Sequence, residues 1–192
     1  MIRKVLTFLV SSLVITLGIA LVLILSQRPA ALPPGEGLDF TNTLAAAGPA
    51  PQPLTQVAMR DGYLLQVRRY AGQAADAPLL VLVHGSGWHG LQFDALARDL
   101  AASADVVVPD LRGHGTKPGR RGDINYINQF EDDLADLITA TAKPDQKVVL
   151  AGHSSGGGLA IRFAGGAHGA MLDAAVLMAP FLKHNAPTMR PN

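Results

Sequence analysis

From Val5 to Leu25 the chain runs 21 residues without a charge, and at about 1.5 Å of rise per residue such a helix spans a hydrocarbon core of roughly 30 Å. The pattern predicts a transmembrane helix. A cleaved signal peptide would carry a shorter apolar region of about 7 to 15 residues and a small-residue cleavage site, which the following SQRPAALPP matches poorly. Arg3 and Lys4 precede the run and only Arg28 follows closely, which favours a cytoplasmic N-terminus and places the rest of the chain outside, on the periplasmic side in a bacterium. Residues 1–28 are read as a membrane anchor. In residues 29–53, prolines at 29, 33, 34, 49, 51 and 53 deny regular helix or central strand, so this stretch reads as a Pro/Ala-rich linker.

Beyond the linker the period shortens. Thr55–Met59 and Tyr63–Tyr70 flank Asp61-Gly62, a hairpin signal, and are expected to pair as edge strands. Short apolar runs follow at Leu79–Val83, Val106–Val108, Val148–Ala151 and Ala174–Ala179, as a sheet buried on both faces requires. Between them the spacing becomes helical: Phe93, Leu96, Ala97 and Leu100 form one stripe, and Ile127, Phe130, Leu134, Leu137 and Ile138 another. Glu131, Asp132, Asp133 and Asp136 fall mostly off that stripe and read as a solvated face. The β-α-β-α-β succession predicts a mostly parallel sheet with right-handed crossovers.

Composition adds limits. Sixteen basic against 15 acidic residues give no reason to expect nucleic acid, and 48% hydrophobic content in 192 residues supports one core. The chain has no cysteine, which excludes a disulfide framework and a thiolate metal site but leaves the compartment open. Six scattered histidines without an HExxH pair give no metal-ligand spacing, and no cofactor is expected. Oligomeric state is not readable.

In an open parallel sheet, reactive groups gather at the carboxyl ends of the strands. Three successive strand ends carry His84-Gly85-Ser86-Gly87-Trp88-His89-Gly90, then Asp110-Leu111-Arg112-Gly113-His114-Gly115, then Gly152-His153-Ser154-Ser155-Gly156. The last has the form of a nucleophile elbow, a strained strand-to-helix turn that needs glycine two residues to either side of the serine. Ser154 would be the nucleophile. Backbone donors must face the developing oxyanion; one is the N–H of Ser155, and the glycine-lined turn at 84–87 supplies a second at the N–H of Ser86. The helix start at Gly156-Gly157-Gly158 costs roughly 1 kcal/mol per glycine and points to tight packing against the sheet or elbow. His153 is expected beneath the elbow and His168 near a helix end. Trp88 either lines an acyl pocket or fills space against the next helix. Arg112, Lys117, Arg120 and Arg121 read as a solvated basic loop.

Taken in order, HGSG, DLRGHG and GHSSGG resemble the α/β-hydrolase superfamily, in the branch of monoacylglycerol lipases, lysophospholipases and serine aminopeptidase-like proteins. The resemblance covers about Thr55 to the C-terminus. It implies an α/β-hydrolase-type, mostly parallel sheet with helices on both faces, Ser154 as nucleophile, Ser86 and Ser155 as oxyanion donors through backbone N–H, and loop-shaping roles for His84 and His114. Residues 54–192 are accordingly expected to be the N-terminal portion of such a domain.

The family triad continues with an acid and a histidine after later strands, whereas this chain ends 38 residues beyond Ser154. Asp173, the only acid beyond the serine, precedes a strand and belongs at the amino end of the sheet, and His184 lacks an acid partner. Neither is assigned, and the fold is expected to be incomplete at the C-terminus. The expected function is membrane-tethered hydrolysis of lipid-derived carboxylic esters through an acyl-enzyme, with weak or absent labelling of this chain by an activated phosphonate. Its alternatives are a catalytically inactive fragment or membrane-bound module, and a serine peptidase. The expected partners are a small-molecule or lipid ester and the membrane.

Overall fold

A computed structural model describes residues 2–26 and 50–182. The expected linker lies mostly outside the described residues, as do His184 and the chain's end. The first unit contains one helix, α1 (Ile2–Ser26), of 25 residues, with no buried side chain among those described. It is long and apolar enough to cross a membrane, a test of length and composition that a signal sequence near an N-terminus also passes.

The second unit is built on a six-stranded sheet in the order β1-β2-β4-β3-β5-β6. Its strands are β1 (Thr55–Ala58), β2 (Leu64–Tyr70), β3 (Leu79–Val83), β4 (Asp105–Asp110), β5 (Val148–His153) and β6 (Ala174–Met178). Its helices are α2 (Asp94–Leu100), α3 (Gln129–Thr141) and α4 (Ser155–Ala164), with 3-10 turns at Gly90–Phe93 and Gly169–Met171. β3 pairs in parallel with β4 on one side and β5 on the other, and β6 adds in parallel to β5. The hairpin forms as the Asp61-Gly62 signal requires: β1 and β2 are antiparallel, and Gly62 takes a φ of +82°. β2 then pairs antiparallel with β4 along Gln66↔Asp110 to Tyr70↔Val106, which extends β4 beyond the apolar Val106–Val108 to Asp110, while pairing with Leu79 of β3 adds Asp105 at the other end.

Side chains alternate across the strands, and each face acquires its own core. Val81 and Val83 of β3, Val107 and Leu150 pack with Leu134, Leu137 and Ile138 of α3 and with Leu159, Ala160 and Phe163 of α4. On the other face Leu82, Val106, Val108 and Ala151 meet Phe93 and Ala97. Helices cover both faces, an α/β architecture. The chain leaves β3 for β4, then crosses back to β5 on β3's other side, so the crevice between the carboxyl ends of β3 and β5 lies at the topological switch point.

Two expectations about the helices change. Ile127 stands outside α3, 77% exposed, ahead of Asn128 at φ +77°; the left-handed residue breaks the stripe before the helix begins. The acidic positions of α3 are not one solvated face, since Asp133 is 3% and Glu131 9% exposed. Asp133 turns inward because a cation, Arg112, is buried against it.

Candidate active site

β5 delivers Ser154 at the crevice in a conformation that an L-residue rarely takes, φ +54° and ψ −120°. Such strain persists only where surroundings over-determine it. The turn is fixed by hydrogen bonds at both its backbone groups. The Ser154 N–H donates to Met178 O at 3.0 Å, while its carbonyl accepts from Gly157 N at 3.0 Å and Phe181 N at 2.8 Å. A Cβ on Gly152 would lie 2.1 Å from Gly156 O, and one on Gly156 would lie 2.4 Å from Val83 O. Only glycine at both places lets α4 fold back this closely over β5 and β3, which is the tight packing expected of the glycine run.

The loop after β3 reaches the same point. A Cβ on Gly85 would sit 3.1 Å from Ser154 Cβ, and Ser86 Oγ donates to Ser155 Oγ at 2.8 Å. The structure therefore brings Ser86, Ser154 and Ser155 together. Among the described residues, no hydrogen bond occupies the backbone N–H of Ser86 or Ser155, and no histidine or carboxylate hydrogen-bonds the Ser154 hydroxyl.

Buried polar side chains hold that loop from behind. His84 is fully buried; its Nε2 accepts from Leu111 N at 2.9 Å and its Nδ1 faces Gly85 O at 2.8 Å. The acceptor role of Nε2 makes Nδ1 the protonated nitrogen of a neutral ring. Burial pushes its pKa down from 6.5 to about 4, so the ring is neutral at pH 7. His114 lies 5.2 Å from the His84 ring, and His89 Nδ1 accepts from Leu91 N at 3.4 Å. Trp88 stacks on His89 at 6.1 Å. His84 and His114 thus shape loops. His153, expected beneath the elbow, is instead exposed: alternation puts it on the face of the buried Ala151, but at the carboxyl end of β5, past the packed part of that face.

Two acid–base pairs complete the support. Asp110 is 2% exposed, and its Oδ1 accepts from Gly90 N at 2.7 Å and Arg68 Nη1 at 3.3 Å, anchoring the far end of the β3 loop to β4. Gly115, at φ +77°, clears this carboxylate: a Cβ there would lie 2.4 Å from Asp110 Oδ2. Sequence reasoning gave Asp110 no role; its signal was an acid directly continuing an apolar strand, which must find a partner when buried. Arg112 corrects the expectation of a solvated basic loop. It is 7% exposed, bonded to Asp133 at 2.7 and 2.8 Å and to Asp61 at 3.0 Å, and stacked 4.1 Å above the Tyr63 ring. Its hydrogen bond to Asp133 raises the guanidinium's pKa further, while burial lifts the Asp133 carboxyl against the pull of Arg112. Lys117, Arg120 and Arg121 are exposed as expected.

Asp173 lies at the other end of the sheet, where its carboxylate accepts from Val148 N at 2.8 Å, as expected from its place before β6. Among the described residues no cluster of three or more His, Cys, Asp or Glu side chains is placed to hold a metal ion.

The family model for serine aminopeptidase, S33, matches residues 74–192. The chain belongs to that family. This S33 chain is 40% identical over 89 residues to a probable protein phosphatase methylesterase 1 of Caenorhabditis elegans, across 45% of the chain and 24% of that protein. It is 32% identical over 114 residues to human monoglyceride lipase, across 57% of the chain and 37% of the relative. An alpha/beta hydrolase from Novosphingobium aromaticivorans superposes with a TM-score of 0.53 at 28% identity, covering 68% of this chain and 45% of that one. The S33 chain therefore has the α/β-hydrolase fold and spans less than half the length of each of these relatives.

Proposed function

We propose that this chain carries the nucleophile and oxyanion-binding elements of a serine hydrolase that cleaves carboxylic esters. Ser154 Oγ attacks the ester carbonyl, and the N–H groups of Ser86 and Ser155 receive the negative charge on the carbonyl oxygen. Collapse of the tetrahedral species breaks the bond to the alcohol, which leaves with the proton given up by Ser154 Oγ; water then attacks the acyl group on Ser154, releasing the acid and returning a proton to Oγ. The observation that carries this reading is the backbone of Ser154, held at φ +54° between two glycines that admit no Cβ. The similarity to a methylesterase and a monoglyceride lipase supports an ester over a peptide bond. Lipid-derived esters suit a domain held near a bilayer by α1, with the N-terminus cytoplasmic and the hydrolase domain on the outer side.

A second reading, a membrane-bound module without catalysis, draws on the absence of a histidine or carboxylate bonded to Ser154 among the described residues. A fluorophosphonate probe separates the two. The hydrolase reading expects a single slow adduct on Ser154, lost in Ser154→Ala; the module reading expects none.

A further inference from the structure

We propose that the hydroxyls of Ser86 and Ser155 form a latch that sets the spacing of the two amide donors, making both side chains positioning residues in addition to their backbone roles. This rests on the reading of Ser154 as a nucleophile. The two donors belong to segments that the chain does not hold together, since Ser86 and Ser155 are 69 residues apart. Their distance from each other must nevertheless be fixed, because an amide stabilises an oxyanion only at hydrogen-bond range, and a shift of about 1 Å costs around a hundredfold in rate.

The base of the β3 loop is tied toward β4, through His84 to Leu111 N and through Gly90 N to Asp110. Its tip is not. Ser86 and Gly87 are exposed, and Gly87 sits at φ +70° with open space around it. Toward the elbow, the missing side chain at Gly85 lets the loop approach, since a Cβ there would lie 3.1 Å from Ser154 Cβ. Outward movement is opposed, among the described residues, by one side-chain hydrogen bond from the loop to α4: Ser86 Oγ to Ser155 Oγ, at 2.8 Å. The glycine permits the close approach and this bond sets its distance.

Neither hydroxyl is needed as a charge acceptor or base, so the effect of removing one appears in the position of the donors. Alanine at either position is expected to lower the maximal rate of phosphonylation by about tenfold, below the hundredfold or more of losing a donor outright, with the half-saturating probe concentration unchanged. Ser86→Ala combined with Ser155→Ala should be no slower than either alone, because both remove the same bond. Ser155→Thr keeps the hydroxyl and should restore the rate. A second readout needs no chemistry: backbone ¹⁵N order parameters at Ser86 and Gly87 should fall from about 0.85 in the wild type to below about 0.6 in Ser155→Ala, and recover in Ser155→Thr. Multiplicative losses in the double variant, or unchanged order parameters in Ser155→Ala, overturn the latch. If the wild type takes no probe, the assignment of Ser154 falls, and the order parameters alone judge the latch.

Discussion

The two ends of the parallel strands use the same kinds of residue for different work. At the amino ends, carboxylates tie one strand to the next. Asp105 accepts from Gly72 N at 2.8 Å, Lys143 Nζ at 2.7 Å and Gln146 Nε2 at 2.7 Å, and Asp173 accepts from Val148 N at 2.8 Å. The hydrogen bond from Lys143 is the main cause that lowers the Asp105 pKa. At the carboxyl ends the backbone itself is the feature: a serine at positive φ, glycines that admit no Cβ, and N–H groups at the crevice with no hydrogen-bond partner among the described residues. Polar side chains there, His84, Asp110 and Arg112, are buried and act behind the loops. Residue type alone therefore does not mark a site on this sheet; the end of the strand does, as expected where strand order reverses.

The contrast breaks most severely at the elbow. Gly156→Ala places a Cβ 2.4 Å from Val83 O, a backbone atom that cannot step aside, and should destabilise the domain by about 3 kcal/mol; urea unfolding measures the loss.

Acid should act on the same end of the sheet next. The unfolded His84 titrates near 6.5 and the folded one near 4; between those values the unfolded chain binds the extra proton. Stability from this group is thus full above about pH 6.5, declines as the pH falls, and has dropped by on the order of 3 kcal/mol at pH 4. His84→Gln should be less stable at pH 7 and should flatten the decline in unfolding midpoint across that window. The carboxyls of Asp61, Asp105 and Asp132 are held below their ordinary 3.8, so their contribution is lost only at lower pH.

The smallest effect belongs to the amino end. Asp173→Ala removes one partly buried hydrogen bond to Val148 N and should cost about 1 kcal/mol, with phosphonate labelling of the folded fraction unchanged. A labelling loss as large as that of the Ser86 or Ser155 variants would erase the distinction between the ends.

Legibility in the sequence followed range. Apolar runs located β3 and β5, and the hairpin announced itself through Asp61-Gly62, because strand burial and turn chemistry act over a few residues. An apolar run also located β6, but its side chains are largely exposed at the sheet's edge and not buried on both faces as expected. The elbow was legible for the same reason: its strain is relieved by glycines two positions away. Arg112 was misread because its burial depends on Asp133, 21 residues further along and on another element. The ends of β4 were missed because Asp105, Pro109 and Asp110 are not apolar; pairing with β2 and β3 makes them strand. The exposure of His153 was not legible because it comes from its place at the end of β5, while the strand's alternation puts it on the face of the buried Ala151.

The central claim is that Ser154, held at φ +54° beside the backbone amides of Ser86 and Ser155, is a nucleophile. Its most direct test is mapping the fluorophosphonate adduct on the 192-residue chain by peptide mass, in the wild type and in Ser154→Ala. The account predicts one modified peptide, carrying its adduct on Ser154 and unmodified in the variant. A folded wild-type chain with no adduct, or an adduct that persists in Ser154→Ala, would contradict it.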